Sequence, residues 1–130
     1  MAQYTHVTPE DIFRNPEVRA YIQQGNDNLG VIGFTEHGFA HAKRSSDTAQ
    51  EILRALGYPQ REWELAAIAG YMHDIGNTVN RVDHAHSGAL MAFTLLNKLG
   101  MPQRRSAWCA RPLATTMRRP PFRSIPWRRR

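Results

Sequence analysis

The chain has one cysteine, Cys109, so it carries no internal disulfide framework, which fits a reducing, cytoplasmic setting. It has no long apolar run. The longest, residues 65–72, falls far short of the roughly 20 residues that cross a bilayer, and no membrane partner is expected. The opening MAQYTHVTPEDIF carries acids and lacks the basic-then-apolar order of a signal peptide. No stretch alternates apolar and polar residues as a half-buried strand does. After Asp83 there is no acid of any kind.

That last absence divides the chain. Residues 1–103 hold all 11 acids against 8 Lys/Arg, whereas residues 104–130 hold 9 arginines and no acid. The net charge of +6 is thus a mildly acidic body joined to a basic tail. With 130 residues the chain is long enough for one core and one domain. The body, 1–103, reads as a helical domain. Residues 104–130 keep no apolar period, contain four prolines, and read either as a disordered basic arm or as the product of a shifted reading frame.

The expected fold is all-α. Residues 9–24 read as a short turn and a helix with Pro16 in its first turn, and GNDNLGVIG (25–33) reads as a loop. Thr35 is the expected N-cap of a long helix to Leu56, stopped by Gly57. Its stripe is Phe39, Ala42, Ser46, Ala49, Leu53 and Leu56. A third helix starts near Pro59 and reaches His73, with Leu65, Ala66, Ile68, Ala69 and Met72 inward. After the Asn- and Gly-rich connection 75–83, a fourth spans about 86–99, with Leu90, Met91, Phe93, Leu95 and Leu96 inward and Gly100 and Pro102 ending it.

Six histidines occur, and five of them, His37, His41, His73, His84 and His86, fall within residues 36–87 beside Asp74 and Asp83. Four residues apart, His37 and His41 share a face if both are helical. His73 and Asp74 end an apolar helix, where burying an ionised carboxylate is costly unless something compensates it. Imidazole and carboxylate together suit divalent ions such as Mn, Fe, Zn, Ni, Co or Mg. Open coordination positions would let a bound water act as hydroxide on phosphorus. His6 and His86 read as ordinary surface groups.

Met72–Asn77, MHDIGN, preceded by LAAIAGY, resembles the signature of the HD-domain metal-dependent phosphohydrolases. HAKRSSDTA (41–49) is similar to the family's first-histidine helix, with Ser45 where a valine is usual. HAHSGALMAFTLL (84–96) is similar to its next helix, and TEHGFAHA to a bacterial subgroup. The likeness spans about residues 9–102 and implies an HD helical bundle, incomplete at its C-terminal end. It makes His41, His73 and Asp74 metal ligands, with His84 on a second metal or the substrate phosphate and His37 beside or within the ligand set. Asn77 stands where many relatives carry lysine. The family's further aspartate ligand, on a later helix, has no counterpart here.

The function this implies is hydrolysis of a small phosphate ester, with nucleotides in its range, by a metal-bound hydroxide. Asp74 and His84 would serve catalysis, and Arg44 or Arg81 would stabilise the developing charge. Lys43 is a further nearby cation, more simply read as solvated. Two other readings remain open. One is a catalytically impaired HD module acting by association, including self-association. In the other, the tail binds nucleic acid non-specifically through its arginines, Trp108, Phe122 and Trp127.

Overall fold

The computed structural model describes residues 4–115, and all regular structure among them is helical. The elements are α1 (Pro9–Arg14), α2 (Pro16–Val31), α3 (Phe39–Ala55), α4 (Gln60–Met72), a 3-10 turn (Ile75–Thr78), α5 (His84–Lys98) and α6 (Gln103–Thr115). Thr8 and Asp11 cap α1 reciprocally: the Thr8 N–H donates to Asp11 Oδ2 at 2.9 Å and the Asp11 N–H to Thr8 Oγ1 at 3.3 Å. Asn15 then accepts from the Glu17 and Val18 amides to start α2. These caps aim Ile12 and Val18, both fully buried, into the core.

α4 runs through the middle, with Leu65 to Ala69, Tyr71 and Met72 all buried. It meets α3 at very short range because the facing residues are small. A Cβ on Gly70 would stand 2.7 Å from the Ser45 carbonyl oxygen. Beside it, fully buried Ser46 donates through Oγ to the Ala67 carbonyl at 2.8 Å. A still closer approach joins the 3-10 turn to α5. A Cβ on Gly76 would lie 1.9 Å from the His84 carbonyl oxygen, and one on Gly88 would lie 3.2 Å from the Gly76 nitrogen. Asp83, at φ 56°, makes the left-handed turn into α5 that Asp tolerates better than most residues.

Several expectations are corrected. Residues 25–31 are not a loop; α2 continues through them. Its polar residues pair at i, i+4, Gln23 with Asp27 and Gln24 with Asn28, each at 2.8 Å. Asn28 Nδ2 also donates to the Asn77 and Thr78 carbonyls, and Thr78 Oγ1 returns a bond to the Tyr21 carbonyl, stitching α2 to the 3-10 turn. Thr35 caps nothing. α3 begins only at Phe39, after Gly38, because the Asn26 side chain accepts from the His37 amide and holds residues 32–38 outside the helix.

Leu56 and Leu90 point outward, 68% and 71% exposed. On α5, Leu95 and Leu96 are buried and Met91 and Phe93 pack partly buried against the core as expected, and the small residues Ala85, Gly88, Ala89 and Ala92 complete the inward face. Nor does the helical body stop at residue 103. In α6 the small residues Ser106, Cys109 and Ala110 recur at three- and four-residue spacing and are buried, and Cys109 Sγ lies 3.6 Å from the Leu65 carbonyl. Residues 116–130 lie outside the described residues, and with them the rest of the expected tail. No helix among the described residues is long and apolar enough to cross a membrane.

The glycine contacts make a direct test. Gly76→Ala forces α5 off the turn and lowers stability by roughly 1–3 kcal/mol or more. Gly30→Ala, whose Cβ meets nothing within 4 Å in a helix, leaves stability unchanged or raises it by up to about 1 kcal/mol. Urea unfolding of the two variants measures both.

Candidate metal centre

The tight packing just described delivers five side chains to one point. Asp74 follows α4 with its side chain only 14% exposed. Its Oδ2 lies 3.1 Å from His37 Nδ1, 3.1 Å from His41 Nε2 and 3.0 Å from His73 Nε2. Its Oδ1 lies 3.4 Å from His84 Nε2. His41 and His73 approach Nε2 to Nε2 at 3.0 Å. One donor atom each from His37, His41 and Asp74 falls within a 4.8 Å sphere of mutual distances, so these three could hold a metal ion.

Backbone carbonyls orient two of the rings. His73 Nδ1 donates to the Gly70 carbonyl at 2.7 Å, and His84 Nδ1 to the Arg81 carbonyl at 3.1 Å. With Nδ1 carrying the proton, the neutral ring presents its Nε2 lone pair inward. For His84 that lone pair faces a carboxylate oxygen. Such an arrangement is repulsive unless a cation or a proton lies between them, and this is the donor chemistry a divalent ion fits.

Charge in the cluster follows. Burial alone would raise the Asp74 carboxyl, but hydrogen bonds and charge from His73 and then His37 outweigh it and hold the group well below the usual carboxylate range. Asp74 is therefore the fixed anion. Burial, then the charge of His73, pushes His41 down. Burial, then the charge of Arg81, pushes His84 down, so both rings are neutral at pH 7. For His73 burial pulls downward, but the bond and charge of Asp74 win and its value is raised.

His37 reaches the cluster from the loop before α3 rather than from a shared helix face, its ring 5.0 Å from that of His41. The residue that places it, Asn26, was hidden in the stretch read as a loop; the i, i+4 polar pairs around it were the available sign of a helix there. Arg81 sits beside the cluster with its guanidinium 5.0 Å from the Phe34 ring, while its carbonyl orients His84. Arg44 is exposed on α3, with no contact to the cluster among the described residues. Lys43 is paired with Asp47. Asn77 is 2% exposed and packs under α2, away from any phosphate role. His6 and His86 are outside the cluster, with side chains 66% and 55% exposed.

No solved structure matches this chain. Among curated proteins, the uncharacterized protein MJ1020 of Methanocaldococcus jannaschii is 27% identical over 97 residues, covering 62% of this chain and 38% of that protein. The chain therefore spans well under half the length of that relative. The model of the HD domain matches residues 38–117, a range that takes in His41, His73, Asp74 and His84 and begins one residue after His37. That match covers more than half of the sequence, and the chain belongs to the HD domain family.

Proposed function

We propose that this protein is a divalent-metal phosphohydrolase acting on a small phosphate ester, with nucleotides within its range. The observation that carries the reading is the convergence of four imidazole nitrogens on the two oxygens of Asp74, within 3.0–3.4 Å. His37, His41, His73 and Asp74 would hold the ion. His37 then occupies part of the coordination that relatives fill with a later aspartate, a residue type missing after Asp83. A divalent cation in such a site acidifies bound water and polarises a phosphoryl oxygen.

The chain's own groups do the remaining work. Asp74, kept ionised, reduces the net charge of the centre and aligns the rings around it. His84, neutral and with Nε2 directed inward, can accept a proton from water or hydrogen-bond a phosphate oxygen. The guanidinium of Arg81, packed on Phe34 at the edge of the cluster, supplies positive charge where the phosphoryl group would enter. A second reading, in which the module holds metal without turnover, rests on three of the same residues, His37, His41 and Asp74, whose arrangement fits an ion.

Two measurements follow. Purified protein loaded with Mn, Fe, Zn, Ni or Co should carry bound metal, and His41→Ala or Asp74→Asn should lower the affinity at least about tenfold, the usual scale for damaged ligand sets. His86→Ala should not. Phosphate release from a panel of phosphomonoesters should require the metal and disappear in Asp74→Asn; metal uptake with no release in the native protein selects the second reading.

Acidity supplies the other check. Neutral rings bind metal and protonated rings do not, and His41 and His84 take up protons only below the ordinary imidazole range. Metal content should hold at pH 7 and fall as the pH drops below about 6. Dialysis at graded pH with metal analysis reads this. Metal content constant down to pH 4 would place the ion outside the histidines.

A further inference from the structure

At the far end of α4 from the metal centre, the helix starts of α4 and α6 enclose a second hollow. It has a volume of about 520 Å³, within the range of small-molecule sites, and buried Leu65 forms part of its wall. α6 lines it with Arg104, Arg105 and Trp108, and α4 with Arg61 and Glu62. The charges are not equivalent. Arg61 is committed, donating to the Val7 carbonyl at 2.7 Å and to Glu64 at 3.1 Å. Arg104 and Arg105 are exposed, and neither has an ion-pair partner among the described residues. Trp108, 41% exposed, stands one helical turn after them, so ring and guanidinium groups share a face.

We propose that this groove binds a nucleoside phosphate. Its chemistry matches the three parts of such a ligand: two unpaired guanidiniums for the phosphate, an indole face for the base, and the Glu62 carboxylate as acceptor for ribose hydroxyls. Glu62 also disfavours a bare polyanion, because it opposes the charge of the arginines. Arg61 and His73 are twelve residues apart on one helix, about 18 Å at 1.5 Å per residue, so the groove and the metal centre are separate sites. The proposal stands whether or not the metal centre hydrolyses phosphate esters.

Equilibrium dialysis of AMP against the full-length protein tests it, with a chelator present so that metal-dependent binding is silent. The groove predicts saturable binding at one site. Affinity should fall roughly tenfold or more in the exposed double variant Arg104→Gln/Arg105→Gln, and about tenfold in Trp108→Leu. In His41→Ala it should be unchanged. Thermal melts of the variants separate loss of binding from loss of fold, and the arginine pair, being solvent-exposed, keeps the test open if Trp108→Leu unfolds. Native-like affinity in both groove variants overturns the proposal, as does loss of binding in His41→Ala. So does inorganic phosphate binding as tightly as AMP. A six-residue oligoadenylate run in parallel identifies the source: tighter binding than AMP, with the same arginine and tryptophan dependence, assigns a single strand, and weaker binding assigns the free nucleotide.

Discussion

Asp74 is an anion held in a position where little water reaches it, with imidazoles on both of its oxygens. A carboxylate so placed is expensive on its own; His37 Nδ1 and His41 Nε2 lie within hydrogen-bond reach of it, whereas His73 and His84 have spent their Nδ1 protons on backbone carbonyls and turn Nε2 toward it. The cluster favours positive charge at its centre, because the Nε2 lone pair of His84 faces a carboxylate oxygen. Burial opposes a proton on His73, but the bond and charge of Asp74 outweigh it and raise that ring's affinity for one. A divalent ion bound by His37, His41 and Asp74 would supply positive charge at the same place.

The cluster depends in turn on backbone approach rather than on large side chains. His41 meets His73 because Ser46 and Gly70 let α3 lie against α4, and His84 reaches Asp74 because Gly76 and Gly88 let α5 start directly on the turn after α4. A methyl group at Gly70 or Gly76 falls on backbone atoms, which cannot turn aside as a side chain can. Fold and site are therefore one design: the small residues in LAAIAG and HSGAL are what let charged and imidazole groups from distant parts of the sequence share one carboxylate. Cys109 belongs to this packing and not to the chemistry, since burial pushes its thiol up to about 12.

What could be read from the sequence, and what could not, divides along the same line. The helices carrying His41, His73 and His84 were legible because apolar residues recur at helical spacing and Gly or Pro marks their ends. The Asp74 cluster followed from residue type and from the resemblance to HD proteins. The continuation of α2 through residues 25–31 was not legible: Gly25, Asn26 and Asn28 have poor intrinsic helix propensity, and what keeps them helical is tertiary. Gly25 makes room for Asn77, and Asn28 bonds the carbonyls of the 3-10 turn. The loop origin of His37 was hidden for the same reason, since Asn26 had to be placed first. α6 was masked by its composition, because arginines on its outer face obscured the short buried stripe of Ser106, Cys109 and Ala110.

The central claim is that His37, His41, His73 and Asp74 share one ion. X-ray absorption at the edge of the bound metal, on protein loaded with a single equivalent of zinc, tests it most directly. The account predicts a first shell dominated by nitrogen, with imidazole outer-shell scattering from three rings that drops to two in His37→Ala. A shell of oxygens without imidazole scattering, or a spectrum unchanged by His37→Ala and His41→Ala alike, would contradict it.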